Sequence, residues 1–322
     1  MLNLTTHQLQ YLVTVSRTET MAEAAEELHI SPSALSQGLS ELERRLGLEL
    51  FERQGRSRTL TAQGREAVRH AERILAATRD MAIWVDGTLT GERGEIRLGL
   101  IDIAAVNYFP ETLIEYRAAR PQIELQLSIG PSATLTAQLL DGRLDAAVIV
   151  APAERSDGQD RIESSGLVLV ELFTEELAIY APGPVPGGRT ADAEDPSQWG
   201  PWITFPPESH TRRHIARALS QLGAEFRVQA VSHQPDVLRQ MVTLGMGWTV
   251  LPVRQAETEP NPLRRARAEP LLRRRLVIAT RAGSPQDAAI SELLDLLKAT
   301  AARLEPQLGA EPQPKMKPQP KM

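Results

Sequence analysis

The sequence predicts a chain of three parts: a small helical domain closed by a β-hairpin, one long helix, and an α/β domain of two lobes. Three observations predict it. Thr20–Arg53 shows two short helical periods separated by a tight turn. Thr61 to Leu89 keeps an apolar seam over more turns than a helix packed only on its own domain would need. Beyond Gly94 the pattern changes to strands alternating with helices, which builds a parallel sheet with right-handed crossovers.

The chain has 322 residues, enough for two or three domains with sizeable cores. Its formal net charge of −5 excludes a protein that is basic throughout. Positive charge is instead concentrated locally: Arg53, Arg56, Arg58, Arg65 and Arg69 fall in a run where Glu66 is the only acid. The absence of cysteine excludes disulfides and thiolate metal sites. No apolar run approaches membrane-spanning length, and MLNLTTHQLQYL lacks the basic-then-apolar order of a signal peptide. A cytoplasmic protein is expected.

Thr5–Ser16 reads as the opening helix, with Leu9, Leu12 and Val13 inward and Tyr11 beside them. Thr20 caps the next helix, whose small face is Ala22, Ala24, Ala25 and Leu28. His29-Ile30 is the turn. Ser31 caps a further helix, and Pro32 takes its first position, where a missing N–H costs nothing. Ala34, Leu35, Leu39, Leu42 and Leu46 recur at helical spacing, and Gly47 ends the helix. Its opposite face carries Ser33, Ser36, Gln37 and Ser40. Small hydroxyls and an amide near a helix N-terminus suit a helix set into a DNA major groove. An ordinary helical hairpin with a solvated face gives the same spacing. Leu50–Arg53, Gln54–Arg58 and Thr59–Gly64 then read as a hairpin around Gly55, a β-wing whose arginines meet phosphate.

In the long helix, Ala67, Ala71, Ile74, Thr78, Met81 and Val85 alternate spacings of four and three, with Val68, Leu75, Ala82 and Leu89 alongside. A partner helix explains so wide a stripe, and two-fold DNA half-sites call for a dimer. Trp84 pads this seam. Thr90–Gly94 is a candidate hinge. Strands are expected at Glu95–Ile101, Ile123–Ile129 and Asp145–Val150, with helices at Ala105–Arg120 (Phe109, Leu113, Ile114 and Tyr116 inward) and Thr134–Leu140. Ala151–Ser165 and Pro182–Trp199 read as loops, the latter with room for one short helix. Strands at Leu167–Leu172 and Glu176–Ala181 cross into a second lobe. That lobe holds strands at Trp202–Phe205, Arg227–Val231 and Trp248–Leu251 and helices at Arg212–Leu222 and Pro235–Leu244. Arg275–Thr280 returns as a strand, and Pro285–Leu304 closes as a helix. From Glu311 the chain is PQPKM, Lys317, PQPKM, a repeat without core-forming residues, expected to be disordered.

From AEAAEELHISPSALSQGLSELERRLGLELFER to LTAQGREA the sequence resembles the N-terminal domain of LysR-type transcriptional regulators, and DGRLDAAVIV and the run from MVTLG to GWTVLP fit the same family. The resemblance implies a winged helix-turn-helix over 1–60 and a dimerising linker helix over 61–90. It further implies a periplasmic-binding-protein-like (type 2) effector domain over 91–305 and a tail over 306–322. Lobe I would be 91–165 with 270–305, and lobe II 166–269. It implies a dimer, with a tetramer as the family expectation. The partners implied are double-stranded DNA, a small-molecule effector and RNA polymerase.

The same resemblance assigns base reading to Pro32, Ser33, Ser36, Gln37 and Ser40, phosphate contact to Arg53, and wing contacts to Arg56 and Arg58. The sequence departs from the family pattern SQPALSRQI: Pro32 replaces a usual Gln, Gln37 a usual Arg or Lys, and Gly38 a usual Gln. A lost cation in the groove weakens guanine readout, and Gly38 costs about 1 kcal/mol of helix stability relative to Ala.

In open α/β sheets ligands sit beyond the carboxyl ends of strands. That rule puts Asp102, Ile103, Ala104, Ser132, Ala133, Thr134, Thr204, Phe205, Ser232 and His233 around the cleft. Relatives place Ser or Thr where Ile103 stands to hold a carboxylate, and here Asp102 would repel one. A neutral effector, or one turning an amine or hydroxyl toward Asp102, follows; Asp102 as a mere helix cap is the competing reading. His210, Arg212, Arg213 and His214 form a basic cluster, read first as a solvated helix start.

The function expected is a sequence-specific DNA-binding regulator controlled by an effector between the lobes. A solute-binding protein would have no use for residues 1–90. An enzyme would need a metal-spaced His/Asp/Glu set, a phosphate loop or a nucleophile constellation, and the sequence offers none of these. Glu257 and Glu259 read as loop charge, and no cofactor is implied.

Overall fold

The computed structural model describes residues 3–54, 57–90, 94–151, 161–164, 166–183, 195–259, 261–284 and 288–308. Most of the hinge at 90–94, most of the 151–165 and 182–199 segments, the wing tip and the PQPKM repeat lie outside them.

Three helices build the first domain: α1 (Thr6–Val15), α2 (Met21–Glu27) and α3 (Pro32–Leu46). Each starts on the cap its sequence supplies. Thr5 and Gln8 form a reciprocal capping box, Thr20 accepts from Glu23 N–H, and Ser31 accepts from Ala34 N–H with Pro32 at the first position. His29 turns the chain at φ 54°, and Gly47 ends α3 at φ 66°. Leu9, Leu12, Val13, Ala24, Ala25, Leu35, Leu39 and Leu42 form one core. Ala22 and Ala34, expected inward, are exposed: successive helical residues stand about 100° apart, which carries both off the buried stripe. Gly38 has a packing reason, because a Cβ there would lie 2.6 Å from the Tyr11 ring.

β1 (Phe51–Gln54) pairs antiparallel with β2 (Ser57–Leu60), the expected hairpin. α4 (Ala62–Thr90) then runs for 29 residues, with Gly64 N–H bonded to the Thr61 hydroxyl at 2.9 Å. Val68 and Leu75 pack on the first domain, and Ala71 is buried there too. The seam left open is therefore shorter than expected, with Ile74, Met81 and Val85 exposed.

The second part begins with β3 (Glu95–Leu100). The single helix expected over 105–120 is two pieces, a π-turn at Ala104–Tyr108 and α5 (Pro110–Ala119). Pro110 has no N–H to continue the ladder, so it opens a new helix instead. Phe109, Leu113 and Tyr116 point inward, whereas Ile114 is 68% exposed. β4 (Glu124–Ile129), α6 (Ser132–Leu140) and β5 (Ala146–Val150) follow, and β3 lies parallel between β4 and β5. Asp145 ties β5 to β3 by accepting from Arg97 N–H at 2.7 Å and from its guanidinium at 2.8 Å.

β6 (Arg161–Ser164) lies where a loop was expected. The two strands expected over 167–181 are one, β7 (Leu167–Tyr180). A register shift opposite Leu276 and Val277 leaves Leu172 as an extra residue, and this bulge changes the phase of the inward side chains without breaking the strand. β8 (Trp202–Thr204), α7 (His210–Gln221), β9 (Val228–Val231), α8 (Pro235–Thr243), β10 (Thr249–Pro252) and α9 (Val253–Ala256) build the second lobe around Trp202 and Trp248. β11 (Leu272–Arg281) returns, and α10 (Ala288–Leu308) covers the first lobe with Ile290, Leu293 and Leu297. One sheet runs β10-β7-β11-β5-β3-β4, with β6 also on β7 and a separate pair β8-β9. Leu167, Leu169, Leu172 and Phe173 belong to the lobe I core and Leu177–Tyr180 to the lobe II core, so the cores meet within β7, past residue 166.

Gly64 passes so close to the wing base that a Cβ would stand 2.1 Å from the Leu50 carbonyl oxygen. Backbone cannot yield as the Tyr11 ring beside Gly38 can. Gly64→Ala should lower stability by about 1–3 kcal/mol in urea unfolding, with Gly38→Ala nearer neutral. Equal costs would contradict this packing.

Candidate functional site

α3 is built to bury one face and leave the other free. Leu35, Leu39 and Leu42 hold it in the core, while Pro32, Ser33, Gln37 and Ser40 are exposed and Ser36 is half-buried. Ser36, Gln37, Ser40, Glu41 and Arg44 line a shallow groove of about 300 Å³. Glu41 accepts from Arg44 Nε and Nη2 at 2.7 and 2.6 Å and from Arg45 Nε at 2.6 Å. Those bonds, Arg44's first, hold the Glu41 carboxyl down to about 2. The front half of the helix thus offers hydroxyls and an amide at the positive end of the helix dipole, and the ion pairs lie behind it. That arrangement admits phosphate at the helix start and base edges along the face.

The wing is fixed to the same helix. Glu43 Oε1 accepts from Leu50 N–H at 2.8 Å and Phe51 N–H at 3.2 Å, and Thr61 donates to the Glu49 carbonyl at 2.8 Å. Arg53 and Arg58 stand opposite each other in the hairpin, and Arg56 falls outside the described residues.

A second set of contacts joins this domain to lobe I. Arg17 Nη2 meets Glu72 Oε1 of α4 at 2.5 Å, and Glu72 hydrogen-bonds the side chain of Asp141 at the end of α6. Gly142 then packs on Ala76, where a Cβ would come within 2.1 Å, and Arg281 of β11 binds Asp80 at 2.7 Å. The sequence reading missed this junction, because its members are far apart along the chain.

Lobe I and lobe II are joined through β7 and β11. Glu175 of β7 is buried and pairs with Arg274 of β11. Tyr108 donates to Glu175 at 2.6 Å from lobe I, and Arg274 donates to the Thr211 hydroxyl at 3.0 Å in lobe II. Arg254 of α9 lies over the Tyr108 ring.

The residues expected around the cleft divide. Ile103 and Ala104 belong to the lobe I core, and Phe205 to that of lobe II. Ser132 accepts from Val150 N–H and Ser232 from Gln234 N–H, so both hydroxyls serve local structure. Ala133, Thr134 and His233 are exposed, the last 3.3 Å from Glu208. Thr204 is buried at the end of β8, and its hydroxyl has no hydrogen-bond partner. Asp102 is the one brought against groups of the other lobe. Gln255 of α9 donates to Asp236 Oδ1 of α8 at 3.1 Å and also reaches Asp102. Burial first, and the Asp236 charge second, push the Asp102 carboxyl above the usual carboxylate range. Asp236 and Gln255 escaped the sequence reading; an acid in the first turn of α8 was the available signal. In the His210–His214 cluster, Arg212 donates to the Phe205 carbonyl at 3.2 Å, and Arg213 meets His210 at 2.8 Å. These bonds stay local, as for a helix start.

Two family models match the chain. A LysR substrate binding domain covers residues 90–302, and a bacterial regulatory helix-turn-helix protein of the lysR family covers residues 6–65. The probable hydrogen peroxide-inducible genes activator of Mycobacterium avium is 30% identical over 301 residues, 90% of this chain and 92% of that protein. The HTH-type transcriptional regulator CfxR of Cupriavidus necator is 36% identical over 155 residues, so the match spans about half of each, 48%. Full-length OxyR of Pseudomonas aeruginosa superposes with a TM-score of 0.63 at 24% identity, covering 92% of this chain and 98% of that one. Full-length CbnR complexed with its target DNA superposes with a TM-score of 0.61 at 19% identity, covering 92% and 100%. At such identities these structures show a common fold.

The junction between α4 and lobe I carries a pH dependence. Burial, then the Glu72 charge and hydrogen bond, push the Asp141 carboxyl up from 3.8 to about 6. The folded chain therefore holds this proton more tightly than the unfolded chain. The penalty of charging Asp141 is complete above about pH 6 and is relieved as pH falls toward 3.8. Asp141→Asn should melt higher than the parent at about pH 8, lose that advantage progressively below about pH 6, and keep little of it near about pH 4. A variant less stable at the higher pH would contradict the assignment.

Proposed function

The chain belongs to the LysR family of bacterial transcriptional regulators, and from that premise we propose which of its residues read DNA and how an effector reaches them. Members of the family are DNA-binding regulators with an effector-binding domain, not enzymes, and they act as dimers and tetramers. Among the described residues no group of three or more His, Cys, Asp or Glu could hold a metal, and no helix is long and apolar enough to cross a membrane.

Pro32, Ser33, Ser36, Gln37 and Ser40 enter the major groove, Arg53 holds phosphate, and Arg56 and Arg58 follow the backbone from the wing. One observation supports this most: α3 buries its leucines and leaves a charge-free, hydrogen-bonding front face, with the wing clamped to it through Glu43. Two such units are brought together by α4 through Ile74, Met81 and Val85. A ligand between the lobes shifts their angle, and the α4–lobe I junction carries that shift to the paired DNA-binding units. RNA polymerase is the downstream partner, and the cytoplasm, where promoter DNA lies, is the compartment. The name of the Mycobacterium avium relative points to peroxide, but this chain has no cysteine and so no thiol with which to sense it.

Purified protein should select one class of duplex from fragmented genomic DNA. Arg53→Ala should weaken binding to every sequence alike and flatten the salt dependence, whereas Gln37→Ala should cost about 1–3 kcal/mol at particular bases only. No selection over random competitor would remove the reading. Met81→Glu places a charge in the exposed seam and should shift sedimentation from dimer toward monomer; an unchanged dimer would move the interface off α4.

A further inference from the structure

We propose that the cleft takes an effector bearing a primary ammonium group, held between Asp102 of lobe I and Asp236 of lobe II with the Gln255 side-chain oxygen as third acceptor. The proposal rests on the reading of the chain as an effector-controlled regulator and names the class of that effector.

The three groups come from three elements and converge. Asp102 follows β3, Asp236 sits in the first turn of α8, and Gln255 lies in α9. Gln255 bridges the two acids through its amide nitrogen, which donates to Asp236 Oδ1 at 3.1 Å and reaches Asp102. Its other end is unsatisfied: Gln255 is only 3% exposed, yet its Oε1 has no hydrogen-bond partner. Asp102 Oδ1 is likewise buried and without a partner. Buried acceptors are normally satisfied, and leaving one bare costs about as much as the bond it lacks.

The charges point the same way. The charged group acting on Asp102 is Asp236, a like charge, so the lobes approach each other here against repulsion. Asp236 stands at the N-terminus of α8, where the helix favours a carboxylate. The place an anionic effector would take is thus filled by the protein's own acid. A cation set between the two carboxylates reverses the sign of the interaction and draws the lobes together.

Three acceptors match the three N–H donors of a primary ammonium: Asp102 Oδ1, the Asp236 carboxylate and Gln255 Oε1. A divalent metal fits less well. Calcium takes six to eight oxygens and magnesium demands a near-ideal octahedron, whereas this cluster offers two carboxylates and one amide beside the core residues Ile103 and Ala104.

The test uses the full-length protein at low ionic strength. Thermal shift and calorimetry are run with n-butylamine, 1,4-diaminobutane and 4-aminobutylguanidine, with butanol, butyrate and magnesium chloride as comparators. At least one amine should bind saturably and raise the melting temperature, while butanol and butyrate should not. Asp102→Asn and Asp236→Asn should each weaken that amine about tenfold or more, the loss expected for one charge-assisted hydrogen bond. Without ligand, Asp102→Asn and Asp236→Asn should each keep a single cooperative melting transition and the parent's far-UV circular dichroism; this separates loss of binding from loss of fold. Butyrate binding as well as the amines, amine affinity unchanged in both variants, or a response to magnesium alone would overturn the proposal. DNA selection by the same ligand-free protein is read in parallel. If it holds while the amines fail, only the effector class falls; if it fails, the regulator reading falls first.

Discussion

The effector-binding half depends on the ladder between β7 and β11. Both strands run from one hydrophobic core into the other, so the lobes are two ends of one sheet. At the crossing lie Glu175 and Arg274, a pair almost wholly removed from water. Such a pair contributes little net stability, since desolvation roughly offsets attraction, but breaking it costs about 3–5 kcal/mol. Its worth is geometric. Glu175 accepts from Tyr108 of lobe I, and Arg274 donates to Thr211 of lobe II. Rotation of the lobes must keep these bonds or exchange them, which favours discrete arrangements over a continuum.

The first domain obeys a different constraint. Its helices are short, and an isolated helix of such length is marginal in water. They persist because each carries its own cap and a stripe of leucine or alanine that meets the others. Those stripes use up the apolar surface of α3 and leave only small polar groups outside. The face proposed to meet DNA is what remains once the core has been satisfied, and Glu43 then fixes the wing against it.

Local rules made much of this legible in the sequence. Thr20, Ser31, Pro32 and Gly47 declare helix ends through bonds within a few residues, and the structure uses all four so. Features set by distant partners were not legible. The phase of α5 depends on what packs over it, so Ile114 turned outward. β7 looked like two strands because the bulge at Leu172 shifts the alternation. In the cleft, Asp102 was visible because strand ends are where ligands gather. Asp236 and Gln255 sit well over a hundred residues away in sequence, and only the fold brings them to it. Ile103 and Ala104 were drawn in by proximity to Asp102, yet their side chains serve the core.

How a small molecule in the cleft moves the DNA-binding units is a question of differential contact. A ligand shifts an equilibrium only as far as it binds one state better than the other. One that bridges Asp102 and Asp236 touches both lobes and therefore discriminates between their angles; one held by a single lobe would not. The moving lobe must also be tied to α4. Asp141, Gly142 and Arg281 supply that tie, all from lobe I, and they grip Glu72, Ala76 and Asp80 along one face of the helix. Because the helix is continuous from the wing base to the exposed residues Ile74, Met81 and Val85, a displacement at the junction would, in the dimer proposed above, alter the angle at which two copies of α3 are presented. Spacing on DNA is fixed by the pitch of the duplex, so a change in that angle is read as a change in affinity or in DNA bend.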